Sequence, residues 1–195
     1  IRPSAFEAVV KRDRSIMMND SSGGAYLFLD AQDRLVFANS RWMVQRLVAD
    51  QENGRWSFRV EREWDLKPYV PHDCLNWDNW FPNSECDKVT AVMPDTAGRY
   101  WWTTRGGRLG TLDPESGTVS VIRFDGEEIQ NALAVDARAV YVLTDHAQYA
   151  FSAGPDGKPV QLWRSAYDRG TRRKVGSINQ GSGTTPTLLG DRWIT

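Results

Sequence analysis

DTAGRYWWTTRGGRLGTLDPESGTVSVIRF, Asp95 to Phe124, is the stretch whose reading decides the fold. It contains three short apolar runs, RYWWTT, RLGTLD and TVSVIRF, divided by Arg105-Gly106-Gly107 and by Asp113-Pro114-Glu115-Ser116-Gly117. Gly, Pro, Asp and Ser at those two points are the residue types that reverse a chain within a few positions. Strands this short, on turns this tight, predict an antiparallel meander.

The phrase recurs on both sides. Asp30, Arg34 and Leu47 stand 65 residues before Asp95, Arg99 and Leu112; Asp95 stands 41 before Asp136, and Thr104 stands 40 before Thr144. A period of about 40 residues fits four strands with their turns, which is the blade of a β-propeller. The excess in the first interval, 65 minus 41, or 24 residues, is then an insertion. The predicted fold is all-β: one propeller domain across 1–195, with blades at 25–61, 89–124 and 131–164, a partial blade at 186–195, and insertions at 62–88 and 165–185. Within the first blade the run Ala25 to Leu29 reads as an innermost strand buried on both faces. Arg34 to Ala38, Trp42 to Val48 and Trp56 to Glu61 follow, with a short helix over Arg41 to Asp50 as the alternative for the third strand. Phe6 to Arg12 fits the last strand of an earlier blade. A ring closes at four to eight blades, so the remainder of a larger propeller is expected from sequence beyond these residues or from another chain.

Composition narrows the function. The 24 basic and 25 acidic residues balance, so no overall field gathers nucleic acid or anionic membrane. No apolar run approaches the roughly 18 residues that span a bilayer. Nine tryptophans suit aromatic-rich blade strands. Cys74 and Cys86, the two cysteines, read either as a disulfide stapling the first insertion of an exported protein, periplasmic or extracellular, or as two thiols of a cytosolic one.

Successive strands of a blade alternate in direction. Connections from a fourth strand to the next first strand therefore fall on the same face as turns from a second strand to a third. Both insertions belong to the first kind, and Arg105 and Asp145-His146 belong to the second, so the sequence places a binding face there. His72, Trp77 and Trp80 in the first insertion suit stacking on a ring with hydrogen bonds at its edge. Arg172 and Arg173, with Asn179 and Ser182 beyond them, can hold a carboxylate or phosphate. A self-packed loop and a solvated basic loop are the alternatives. His146 beside Asp145 is a weak candidate for a general base, against an ordinary turn histidine.

Asp95, Gly98, Trp101, Trp102, Thr103, Leu109, Gly110, Asp113, Pro114 and Gly117 make this blade similar to the repeat of streptogramin lyase-like propellers, D-x-x-G-x-x-W-F-T, I-G-R, then D-P-x-T-G. Thr111 stands where that family has arginine. The turn also resembles gluconolactonase-type and quinoprotein-type blades. The resemblance implies a propeller fold; the lyase's catalytic histidine and glutamate belong to blades that do not align here, so no catalytic residue carries over. The expected function is an exported propeller that binds a small polar or aromatic ligand, or a partner protein, on its loop-decorated face. The alternative is a lyase or lactone hydrolase using a rim histidine and a divalent ion, Ca or Mg, in the central channel, and a quinone stacked on a channel tryptophan is a third possibility.

Overall fold

The computed structural model describes residues 26–72, 86–172, 180–182 and 184–195. The chain divides into two compact units, Ile1–Val89 and Thr90–Thr195.

The first unit carries one four-stranded antiparallel sheet in the order β1 (Leu27–Leu29), β2 (Leu35–Ala38), β3 (Met43–Glu52) and β4 (Arg55–Asp65). The last two strands are longer than their apolar patterns indicate. Asn53 and Gly54, at φ 50° and 75°, form a two-residue turn of the type that matches strand twist, so pairing runs up to Glu52↔Arg55. A bulge between Arg46 and Leu47 lets this long ladder keep one face inward. The stretch from Arg41 is strand from Met43 onward, not helix. Buried on both faces was the expectation for β1, and it does not hold: Phe28 is buried, while Leu27 and Leu29 are exposed. Alternation divides a strand between two faces, and only the Phe28 face is sealed. A short 3-10 turn, Lys67–Tyr69, with Pro68 in its first turn, follows β4.

The second unit carries two complete meanders. β5 (Val89–Pro94), β6 (Tyr100–Thr104), β7 (Arg108–Leu112) and β8 (Val119–Arg123) form one; β9 (Ala134–Val135), β10 (Val140–Leu143), β11 (Ala147–Ala153) and β12 (Pro159–Ala166) form the other. The hairpin β13 (Leu188–Leu189) and β14 (Trp193–Ile194) follows. β9 is shorter than the predicted Asn131 to Val135. Ile129 and Leu133, just before it, are spent as buried plugs between sheets rather than as ladder residues.

One core joins the two meanders: Trp101 and Leu109 from the first, Val140 and Phe151 from the second, with Phe124 and Ile129 between them. Phe124 lies 4.7 Å from Tyr149 and edge-on to Phe151 at 5.7 Å. Truncating any of these aromatics would cost about 3–5 kcal/mol. Thr111, at the position held by arginine in the lyase-like repeat, donates its hydroxyl to the Gly157 carbonyl of the neighbouring meander at 2.6 Å.

Tight turns are closed by carboxylates. The N–H groups of Ser116 and Glu115 hold Asp113 below the ordinary value of 3.8. Burial would raise Asp30 and Asp136, but Arg34 and Arg138, with backbone N–H groups, outweigh it and hold both low. A carboxylate held low contributes stability that is complete above its unfolded-state pKa and is lost as pH falls through its folded-state value. The melting temperature is therefore expected to be flat from pH 7 to about 5 and to fall below about pH 4. Asp136→Asn should lower it at pH 7 and reduce the loss on acidification; a variant that loses as much as the parent would contradict this account.

Candidate functional site

Each blade brings its second-to-third turn against the connection that leaves its fourth strand. In the first unit the Leu66 N–H donates to the Trp42 carbonyl, and the Trp42 indole donates to the Asp87 carbonyl at 2.6 Å. In β5–β8 the Ile129 N–H reaches the Arg105 carbonyl, and the Phe124 N–H reaches that of Gly107. In β9–β12 the Tyr167 hydroxyl donates to the Thr144 carbonyl at 2.7 Å and accepts from the Ser182 N–H at 2.9 Å. Gly181 lies so close that a Cβ there would stand 2.6 Å from the Asp145 carbonyl oxygen, and its φ is +131°.

Asp145 is the hub of the second unit's loop face. Its Oδ1 accepts from the Glu128 N–H at 2.7 Å and lies 2.9 Å from His146 Nδ1; its Oδ2 accepts from Arg169 at 3.0 Å. A second Arg169 nitrogen meets His146 Nε2. Arginine only donates, so a ring that takes this contact as a hydrogen bond accepts at Nε2 and turns Nδ1 to Asp145. The adjacency read from sequence is therefore a real pairing, but the nitrogen a general base would use is occupied by Arg169. Arg169 Nε is buried and has no hydrogen-bond partner among the described residues.

Beside this hub lies a second cluster. The Thr144 hydroxyl donates to Glu127 at 2.5 Å, the Tyr149 hydroxyl lies 2.8 and 2.9 Å from the two Glu127 oxygens, and Arg164 Nε donates to Tyr149 at 2.9 Å. Burial pushes the Tyr149 hydroxyl pKa up; the Arg164 hydrogen bond pulls it down, and Glu127 raises it. Burial likewise raises that of Tyr167.

The other sequence-predicted residues fall as follows. Arg105 is half-buried at the β6–β7 turn, Ser182 is tied to Tyr167, and Arg172 is exposed at the end of its described segment. His72 sits in the first unit, edge-on to Trp42 at 5.8 Å and bridged by its backbone to Cys86. Cys86 is buried and disulfide-bonded. Trp77, Trp80, Arg173, Asn179 and Cys74 lie outside the described residues. Among the described residues no group of three or more His, Cys, Asp or Glu is placed to hold a metal ion.

Sequence reasoning missed Trp42, whose ring lies 4.0 Å from Lys88 Nζ, and it missed Glu127, Tyr149 and Tyr167. Trp42 adopts φ 60°, a conformation costing an ordinary residue about 1–2 kcal/mol. Its buried indole holds it there.

Removing the Tyr167 hydroxyl leaves the Thr144 carbonyl and Ser182 N–H without a partner. Tyr167→Phe is expected to cost about 1–3 kcal/mol and to speed amide exchange at Ser182. Unchanged exchange there would mean that the hydroxyl does not tie the two segments.

The sequence matches no protein-family model. An uncharacterized protein of Archaeoglobus fulgidus is 29% identical over 172 residues, covering 82% of this chain and 31% of that protein, so the chain spans about a third of the relative's length. Among solved structures, a catalytically inactive virginiamycin B lyase from Staphylococcus aureus, solved with quinupristin, is similar at 12% identity and TM-score 0.43, over 69% of this chain and 39% of that one. The β-propeller domain of Cps50 (Swd1) from Myceliophteria thermophila is similar at 14% identity and TM-score 0.45, over 69% of this chain and 41% of that one. Three four-stranded antiparallel meanders of one strand order at a common repeat, two of them packed face to face on one core, are an all-β arrangement consistent with the blades of a partial β-propeller.

Proposed function

We propose that the loop face around Asp145, His146 and Arg169 binds a small polar ligand bearing a carboxylate or phosphate. Arg169 carries the reading. Its guanidinium is fixed by Asp145 and His146, yet its buried Nε has no partner among the described residues, a state that costs about 1–3 kcal/mol and that an anionic oxygen would relieve. Arg172 stands exposed three residues further on and adds a second positive charge. Engagement of both His146 ring nitrogens favours binding over general-base catalysis. The disulfide at Cys86 supports a periplasmic or extracellular setting. A protein presenting an acidic side chain or C-terminus would use the same groups.

A ligand that binds only the folded state raises its melting temperature by mass action. Phosphate or citrate, at ionic strength matched with chloride, is expected to raise the parent's melting temperature by several degrees. Arg169→Gln and Arg172→Ala should each reduce that rise. A parent protein that melts identically in all three salts overturns the proposal.

A further inference from the structure

His146 is held between groups of opposite charge, and only one of its two charge states suits both. Its Nδ1 lies 2.9 Å from Asp145 Oδ1, and its Nε2 meets one terminal nitrogen of Arg169, whose other terminal nitrogen donates to Asp145 Oδ2 at 3.0 Å. A guanidinium offers N–H groups and no lone pair, so the ring receives it only with a bare nitrogen. A neutral imidazole supplies that nitrogen and keeps its one N–H for the carboxylate. A protonated ring carries N–H on both sides and a positive charge. Its contact with Asp145 persists, while its contact with Arg169 becomes a meeting of two donors and two cations. Histidine is the side chain whose charge changes between about pH 5 and 8.

Among the described residues, the other titratable groups around this turn are Glu127 and Glu128 on the connection before β9, Tyr149 on β11, Arg164 on β12, and Tyr167 and Asp168 on the connection that carries Arg169. They are engaged elsewhere. Glu127 accepts from Thr144 and Tyr149 and lies 3.5 Å from Arg164, and Glu128 accepts from Gln130. Asp168 accepts from the Gly170 N–H, and the Tyr167 hydroxyl is shared by Thr144 and Ser182. Asp145 and Arg169 are the charged groups in contact with the ring. The His146 side chain is 36% exposed and that of Arg169 26%, so a proton from solvent reaches the one and an anion reaches the other.

We infer that His146 is a proton-operated switch on the anion site: uncharged, it occupies Arg169; protonated, it releases the guanidinium and adds a positive charge beside it, so the site holds an anion more tightly in acid. The inference rests on the reading of this loop face as an anion site and supplies its regulation. Released from the ring, Arg169 keeps its bond to Asp145 Oδ2 and offers the nitrogen that met His146, next to an Nε that has no partner among the described residues. Binding and protonation are linked, so an anion that favours the charged ring is favoured by it to the same extent. A charge within about 4–6 Å moves a titration by about 1–3 units, and each unit is about a tenfold difference in affinity between the two protonation states.

Two measurements on the 195-residue chain test it, the first without ligand. The Cζ carbon resonance of Arg169, assigned by its absence from Arg169→Gln, is expected to shift between about pH 8 and about pH 5 in the parent. It should stay in place in His146→Gln, which keeps an acceptor for the guanidinium but takes no proton. Sulfate, whose charge is constant over that range, is then titrated by melting temperature at ionic strength matched with chloride. The parent is expected to bind it about tenfold more tightly at about pH 5 than at about pH 8, and His146→Gln to bind it equally at both. An Arg169 resonance that does not move, or that moves as far in His146→Gln, overturns the inference whether or not sulfate binds. Sulfate that binds the parent equally at both pH values overturns it too and leaves the anion reading standing. Sulfate that binds at neither, while the resonance still moves, overturns the anion reading and with it the switch.

Discussion

The architecture depends on a carboxylate set at the same place in every repeat. Asp30, Asp95 and Asp136 each end a first strand. In each, Oδ1 accepts two backbone N–H groups from the turn that follows, while the residue's own N–H closes onto the first carbonyl of the returning hairpin. The second oxygen is then free to reach the next strand. In β5–β8 it takes the Trp101 indole at 2.8 Å; in β9–β12 it takes the Tyr141 hydroxyl at 3.3 Å and the Arg138 guanidinium. In β1–β4 the equivalent strand position is Val36, which has nothing to donate, and the Arg34 guanidinium answers instead at 2.7 Å. A turn becomes in this way an anchor for the aromatic residue that packs one sheet on the next. Without it, the Trp101 indole would be buried with an unmet donor at a cost of about 1–3 kcal/mol.

That anchoring propagates to the loop face. Once Trp101 is fixed, Phe124 and Ile129 have a defined surface to cover, and the connection carrying them is pulled across the β6–β7 turn. The same connection then presents Glu127 and Glu128 to the β10–β11 turn, where Thr144 and Asp145 receive them. Asp145 meets both backbone groups of Glu128, the His146 ring and the Arg169 guanidinium, groups drawn from three segments. The guanidinium of Arg169 is thus tied to two side chains of the β10–β11 turn, Asp145 and His146.

Much of the fold was legible because turn chemistry brackets the strands. Arg105-Gly106-Gly107 and Asp113 to Gly117 leave β6, β7 and β8 almost no latitude, and the observed strands match the quoted runs within a residue or two. Where the bracket was ambiguous the reading slipped. The gap between the expected strands Trp42 to Val48 and Trp56 to Glu61 left room for a long turn, but Asn53-Gly54 alone suffices, and pairing runs on to Glu52 and Arg55. Ala25 to Leu29 is apolar throughout, which satisfies a strand buried on both faces and equally one whose second face awaits a partner. Asn131 to Leu133 looks like the start of a strand, yet the connection needs Leu133 as a plug. Of the site, the adjacency of Asp145 and His146 was visible, because a local pair is written in consecutive letters. Arg169 was visible only as one cation among several, and Glu127, Tyr149 and Tyr167 gave no signal. Their contacts cross between 15 and 23 positions of sequence and depend on which face each strand turns inward.

Comparison of the turns shows where such a scaffold can vary. The second-to-third turn meets the outgoing connection in all three blades, but the groups that meet differ. The first blade puts an indole there, with Lys88 against its ring and the Asp87 carbonyl on its nitrogen. The second offers main-chain carbonyls, at Arg105 and Gly107. The third puts a carboxylate there, and with it a histidine and an arginine. Backbone hydrogen bonds make this junction in the first two blades, and the Tyr167 hydroxyl makes it in the third. A carboxylate so placed gathers cations, and an indole gathers cations over its face. The repeat therefore sets where turn and connection meet, and the residues that each of them brings there decide the chemistry.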